Sequence, residues 1–452
     1  MTHPAFTLSE HLRAVAKLGL PLVLSNLAMF AIHITDSIML GWYDVKALAA
    51  STIAGTAFFV IFIVGAGFGQ AVTPLVAEAA EEDDDVRVRR VTRMGMWLSI
   101  IYGAVVMIPF FWAEQILVAI GQDPQVAALA HIYLQIVVFQ MIPTLLVMTM
   151  KSFLAALEHT AVILWGTIAT ALMNVVINYA LIFGNWGFPE MGIKGAAVAS
   201  LTVSIVTVVI LLVYALVKLP QYNLLQNIWR SDAEIMGQVY RLGWPIGLTS
   251  LAEGGLFSAS AVMMGWIGTL PLAAHGVAIQ LASLTFMFHI GMSQAATVRA
   301  GRALGRNDEL GLRRGGIAAI GLSFGFAIAT MAMFLLIPEL LISGFINPND
   351  PARDAIMTIG VSLLAMAALF QVVDAVQVIA LGLLRGVQDT AVPMVMATFS
   401  YWVIGLPVSY WLAFEREMGP VGLWLGLVVG LAVASVLLMW RFWGRSVKIH
   451  RA

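Results

Sequence analysis

Three carboxylates in this chain stand alone in long apolar surroundings. Glu253 is the only charged residue between Arg241 and Gly265, Asp36 the only one between Lys17 and Asp44, and Asp374 the only one between Asp354 and Arg385. An acid in hydrocarbon is costly, so it marks an ion or proton path by default. Its chemistry there is to hold a hard cation with oxygen ligands, or to carry a proton. Depth follows from the helix rise. Glu253 lies 12 residues past Arg241 and Asp374 lies 11 before Arg385, roughly 18 and 17 Å from one face. In a core about 30 Å thick both sit near the midplane, where two carboxylates could share one cation or proton. Asp36 lies roughly 12 Å from the opposite face, at a depth near that of Asn174 and Asn178. Those two amides are one turn apart on one helix face, and an acid with amide oxygens suits a hard cation.

Other side chains carry weaker signals, each beside a structural alternative. Gln280 is a candidate polar contact for a bound substrate, and Tyr401 and Trp402 are candidate stacking surfaces for a flat one; packing explains such residues equally well. Asn174 and Asn178 could instead join helices by hydrogen bonds. His33, three residues before Asp36, could relay protons or simply pack. His275 and His289 read as packing histidines.

The elements that must position these groups are membrane helices. Of 452 residues 60% are hydrophobic and 11% charged, with mean hydropathy +0.91, against about 25% charged in soluble domains. The net charge of -1 gives no reason to expect a nucleic-acid partner, and the absence of cysteine removes thiol chemistry and disulfides. A crossing needs about 20 apolar residues. Twelve such runs lie near 16–40, 47–75, 94–113, 124–154, 160–184, 192–217, 240–267, 271–298, 315–337, 355–384, 390–413 and 419–440. The fold class is therefore all-α, a polytopic membrane protein. Met1 to Lys17 forms a polar lead in which Thr7 to Ala14 could be an interfacial helix. Twenty of the 24 Lys and Arg fall in the N-terminus, the even-numbered loops and the C-terminus, which puts both termini in the cytoplasm. The acidic run Glu81 to Asp85 lies on the same side and reads as a solvated loop.

The chain repeats itself. At an offset of 224, Leu18, Gly19 and Pro21 recur as Leu242, Gly243 and Pro245; Gly41-Trp42 as Gly265-Trp266; Gln70-Ala71 as Gln294-Ala295; Arg89-Arg90 as Arg313-Arg314. Phe139-Gln140 recurs as Phe370-Gln371 at an offset of 231. Two six-helix bundles follow, parallel in orientation because six is even. The expected division is residues 1–217 (an N-lobe of helices 1–6), 218–239 (a cytoplasmic linker) and 240–452 (a C-lobe of helices 7–12 with a C-terminal tail). Ser231-Asp232-Ala233-Glu234 has capping-box spacing and starts a short helix leading into span 7. Pro21, Pro245, Pro393 and Pro407 permit kinks.

Thr35-Asp36-Ser37-Ile38-Met39-Leu40-Gly41, Leu251-Ala252-Glu253, Leu272-Ala273-Ala274-His275 and Phe370-Gln371-Val372-Val373-Asp374-Ala375-Val376-Gln377, continuing to Gly382-Leu383-Leu384-Arg385-Gly386, resemble the multidrug and toxic compound extrusion (MATE) family of transporters, in its NorM-type branch. The resemblance covers the whole chain. It implies a non-enzymatic antiporter that exports small cationic amphipathic molecules in exchange for Na+ or H+, with no cofactor beyond the coupling ion. It implies a C-lobe cation site at Glu253 and Asp374, and an N-lobe cation or proton site at Asp36 with Asn174 and Asn178. The protein would work as a monomer in a bacterial inner membrane, rocking so that its substrate cleft alternates between the two sides.

The residues leave three rivals open. One is H+-only coupling through Asp36. A second is a flippase for lipid-linked oligosaccharides, whose anionic cargo would call for Lys or Arg at the midplane, where the sequence places none. A third is a membrane hydrolase built on the two midplane acids, which no motif supports.

Overall fold

The computed structural model describes residues 7–449, so the lead before Thr7 and the tail from His450, with Arg451, lie outside the described residues. Among those described, twelve helices are long and apolar enough to cross a bilayer. We number them α1 (Leu8–Tyr43), α2 (Val45–Glu81), α3 (Asp85–Ala119), α4 (Pro124–Ala156), α5 (Thr160–Phe183), α6 (Ile193–Lys218), α7 (Ala233–Ile267), α8 (Thr269–Gly305), α9 (Glu309–Leu336), α10 (Arg353–Gly386), α11 (Ala391–Glu415) and α12 (Gly419–Ser446). Their outer faces stay apolar: Trp165, Leu172, Val217, Val436 and Trp440 are all more than 60% exposed. Helices apolar all round belong in lipid.

The duplication is legible in helix ends. Val45 and Glu81 bound α2 and, 224 positions on, Thr269 and Gly305 bound α8. The turn that follows is capped alike in both copies. Asp84 accepts from Arg87 N at 2.8 Å, and Asp308 accepts from Gly311 N at 2.7 Å, each satisfying an amide the helix leaves unpaired. The acidic run Glu81 to Asp85 thus holds one of these caps, and its Glu82, with Glu78 just before the run, pairs with Arg87 at 3.0 and 2.7 Å respectively.

The polar lead is not a separate interfacial helix. Thr7 and Glu10 close a reciprocal cap, with Thr7 N donating to Glu10 Oε2 at 2.6 Å and Glu10 N to Thr7 Oγ1 at 3.3 Å, and the helix then runs unbroken through Pro21 to Tyr43. Span 7 likewise has no separate lead-in helix. Asp232, not Ser231, provides the cap, accepting from Ile235 N at 3.2 Å, and α7 is continuous through Pro245. Proline is tolerated in such helices because neighbours satisfy the freed carbonyl. In α11, π-helical turns at Phe399–Gly405 and Trp411–Glu415 flank Pro407.

The chain packs as two compact units, Leu24–Gly247 and, around the other core, the residues up to Val23 together with those from Leu248 on. The covalent linker 218–239 lies inside the first of these, so the packing boundary differs from the boundary expected along the chain. Close packing sets it. In the Leu24–Gly247 unit α2 touches the first part of α7 backbone to backbone, because a Cβ at Gly67 would strike Gly243 O and one at Gly247 would strike Val64 O. In the other unit the backbone of Val23 fits against Gly291, where a Cβ would stand 2.7 Å from Val23 N. Small residues that let backbones approach are how helices associate in lipid.

Candidate functional site

In the unit containing Leu248 onward, α10 is held from both sides. Ser293 and Thr297 of α8 donate to Val378 O and Gly382 O at 2.8 and 2.9 Å, and Ser435 of α12 donates to Val373 O at 2.8 Å. Gly382 permits the approach, since a Cβ there would stand 2.6 Å from Ser293 O. These contacts fix the turn that carries Asp374.

Asp374 is 1% exposed, and neither of its carboxylate oxygens has a hydrogen-bond partner among the described residues. Glu253, on α7, lies within electrostatic reach of it, and its Oε1 is also buried without a partner. Gln377, one turn past Asp374, is fully buried; its amide reaches Glu253 and donates to the Tyr401 hydroxyl, while its Oε1 is unpartnered. The structure therefore brings Glu253 and Asp374 together and adds Gln377, which sequence depth alone did not single out. The result is a buried cluster rich in unpartnered acceptor oxygens. A buried acceptor without a donor costs about 1–3 kcal/mol, more when charged, so the cluster is suited to taking up a cation or a proton. Arg385, three turns along α10, has a side chain long enough for its charge to act on Glu253. Its position in the sequence puts Arg385 at the membrane face and gives no sign of this reach.

The substrate candidates separate. Tyr401 is fully buried and its hydroxyl is held by Gln377, so its ring offers no stacking face, contrary to the expectation; packing has turned it inward on the π-helical turn. Trp402 is 41% exposed, with Nε1 donating to Ala252 O at 3.0 Å, one residue from Glu253. Gly255 leaves room for that indole, since a Cβ would stand 2.8 Å from its Cζ2. Gln280 is exposed on α8. His275 accepts from Trp424 Nε1 at 3.0 Å, and His289 meets Ser323 Oγ at 2.5 Å; both are packing histidines.

In the Leu24–Gly247 unit, Asn178 Nδ2 donates to Asp36 Oδ1 at 2.5 Å and to Asn174 Oδ1 at 3.1 Å. Both amides are buried. The three predicted residues meet, but with N–H groups toward the carboxylate, which is how an anion is held rather than how a cation is caged. Asn178 Oδ1 is buried and unpartnered. Tyr133 of α4, which the sequence gave no signal for, lies within electrostatic reach of Asp36. His33 is exposed. Lys151 of α4, half-buried, brings its ammonium 2.9 Å from Met29 Sδ on α1.

Known proteins share this architecture. The MatE family model matches residues 21–180 and 245–411, the two copies of the repeat. A probable multidrug resistance protein NorM of Rhizobium meliloti is 43% identical over 96% of this chain and 93% of its own length. A probable multidrug resistance protein NorM of Agrobacterium fabrum is 42% identical over 96% and 94%. The crystal structure of a MATE protein in complex with MaL6 superposes with a TM-score of 0.89 at 20% identity, covering 98% of each chain. The chain belongs to the MatE family, a family of multi-pass membrane transporters and not of enzymes.

Proposed function

We propose that this multidrug transporter is an antiporter that exports small cationic amphipathic compounds in exchange for Na+ or H+ by alternating access, from a bacterial inner membrane with both termini in the cytoplasm. The observation that carries the reading is the Glu253–Asp374–Gln377 cluster, with three buried carboxylate oxygens that have no partner among the described residues. Two desolvated carboxylates repel, and a bound cation or proton relieves that repulsion along with their desolvation. Glu253 and Asp374 are the cation ligands in this account, Gln377 Oε1 supplies a neutral oxygen, and Trp402 is the exposed aromatic that meets a cationic cargo. Na+ is favoured by oxygen-only ligation. The test is efflux of a fluorescent cation from proteoliposomes under separately imposed Na+ and pH gradients. Glu253→Gln and Asp374→Asn should each abolish the Na+-driven component; intact Na+-driven efflux in both would overturn the reading.

A second reading, coupling by H+ alone through Asp36, is favoured by one observation. Asn178 offers Asp36 a donor and not an oxygen, so it adds no neutral oxygen for a metal cation at this carboxylate, and a proton is the ion left for it to carry. Efflux driven by a pH gradient in sodium-free buffer, surviving Glu253→Gln but lost in Asp36→Asn, would select it.

A further inference from the structure

The linker between the sequence repeats is more than a tether. It is built onto the polar end of α3 by four contacts of different kinds. Arg93 Nη1 donates to Asn227 O at 2.9 Å, Trp97 Nε1 donates to Ile228 O at 2.7 Å, Arg89 Nη1 donates to Gln226 Oε1 at 2.8 Å, and Arg90 Nε meets Asp232 Oδ2 at 2.5 Å. Asn223 and Asn227 take left-handed backbone angles, φ 45° and 54°, as short polar side chains can, and fold the segment flat. Leu224 tucks inward at 3% exposure.

What this framework presents outward is specific. Trp229 is 82% exposed, with its ring 5.8 Å from that of Trp97. Leu225, four residues before it on the same segment, is 41% exposed. Trp97 stands where the apolar stretch of α3 begins, so Trp229 is held at the level where membrane meets water. There an indole is favoured because one end is apolar and the other wet. Around it the charge is unbalanced. Arg89, Arg90 and Arg230 all act electrostatically on Arg93, against Asp232. Asp232 is taken by Arg90, and Arg93 is buried at 5% with its Nε unpartnered. Arg89 meets a neutral amide, and no carboxylate lies within ion-pair distance of Arg89 or Arg230 among the described residues.

We propose that residues 223–230 with Arg89 form a binding site for an anionic phospholipid: Arg89 and Arg230 hold the headgroup phosphodiester, Arg93 adds charge from beneath, and Trp229 and Leu225 seat against the acyl chains. Guanidinium forks suit phosphate oxygens, and a basic segment at the interface gains about 1 kcal/mol per arginine from anionic lipid, which is about fivefold in affinity. The inner leaflet as the lipid's source rests on the orientation proposed above. Binding itself does not, nor does it depend on transport.

The experiment is native mass spectrometry of the full chain released from micelles containing equal phosphatidylglycerol and phosphatidylcholine. The wild type should retain phosphatidylglycerol selectively, and Arg89→Gln/Arg230→Gln should bind it about 25-fold more weakly. Arg89→Lys/Arg230→Lys, which keeps the charge, should stay within about fivefold of wild type. Equal retention by wild type and the Gln pair would overturn the site. A Lys pair as weak as the Gln pair would overturn it too, by showing that the change acts through the linker's fold. Displacement of the lipid by millimolar inorganic phosphate would identify free phosphate as the ligand and overturn the lipid assignment.

Discussion

At the scale of single residues, the two groups of acids differ in what surrounds them, and the difference is measurable. Asp374 is buried with both oxygens unpartnered, so it works against folding when ionised. Burying an ionised group carries a desolvation penalty of several kcal/mol, which an apolar side chain of similar size avoids. Asp374→Leu should therefore raise the thermal midpoint in detergent while abolishing coupled transport, and a lower midpoint would mean that the carboxylate is structural. Asp389 is the opposite case. It accepts from Arg441 Nε and Nη2 at 2.7 and 3.2 Å and from Ser446 Oγ at 2.7 Å. Asp389→Ala should cost about 2 kcal/mol by leaving the guanidinium unpaired, read as a lowered midpoint with the coupling ion unchanged. These contrasts follow from contacts, not from residue type. Asp36, Glu253 and Asp374 are alike in the sequence, and only packing shows Asp36 held by an amide donor while Asp374 has none.

At the scale of elements, small residues set the helix crossings and arginines set the linker. A side chain at Gly67 would collide with the backbone of α7 at Gly243 and Gly247. Gly67→Val should destabilise by about 1–3 kcal/mol, the usual cost of overpacking, whereas Gly254→Ala, with nothing within 4 Å of its Cβ position, should leave the midpoint unchanged. Equal effects from both would show that the crossing is looser than described. On the linker, the Arg90 hydrogen bond holds the Asp232 carboxyl below its usual range. A depressed acid contributes stability above its unfolded pKa, near 4, and that contribution is lost as pH falls through the lower, folded value. Amides of residues 233–236 should then exchange faster below pH 4, and Asp232→Asn should show the faster rate already at neutral pH. A wild-type rate independent of pH, after correction for intrinsic exchange, would contradict the pairing.

At the scale of the whole molecule, most of the architecture can be read from the chain because lipid imposes simple rules. About 20 apolar residues make a crossing, and each of the twelve expected runs falls on one of the twelve helices, four of them overrunning a helix end by one residue, at Gly184, Gly192, Ile337 and Thr390. Repeat offsets foresee the matched ends of α2 and α8. What resists reading is helix rotation and side-chain reach. Gln377 and Tyr133 enter the sites because of the face they present across a neighbouring helix, and Tyr401 turns inward on a π-helical turn that no sequence pattern announces. Lys151 and Arg385 lie near the ends of their helices, yet their long side chains carry charge to Met29 and Glu253. The packing boundaries at Val23 and Gly247 were hidden for a related reason: the sequence marks where the chain is polar, not where backbones touch. The duplication also left the two copies unequal. Met29 stands at the repeat position of Glu253 and Pro143 at that of Asp374, so the acids sit differently in each unit and can be tested separately. The central claim is that the Glu253–Asp374 pair couples an inward cation to outward drug movement. The most direct measurement is ethidium efflux from proteoliposomes under a Na+ gradient with no pH difference, comparing wild type with Glu253→Gln. The account predicts Na+-driven efflux in the wild type and its loss, by at least tenfold or about 1.4 kcal/mol, in the variant. Na+-driven efflux of equal rate in Glu253→Gln would contradict it.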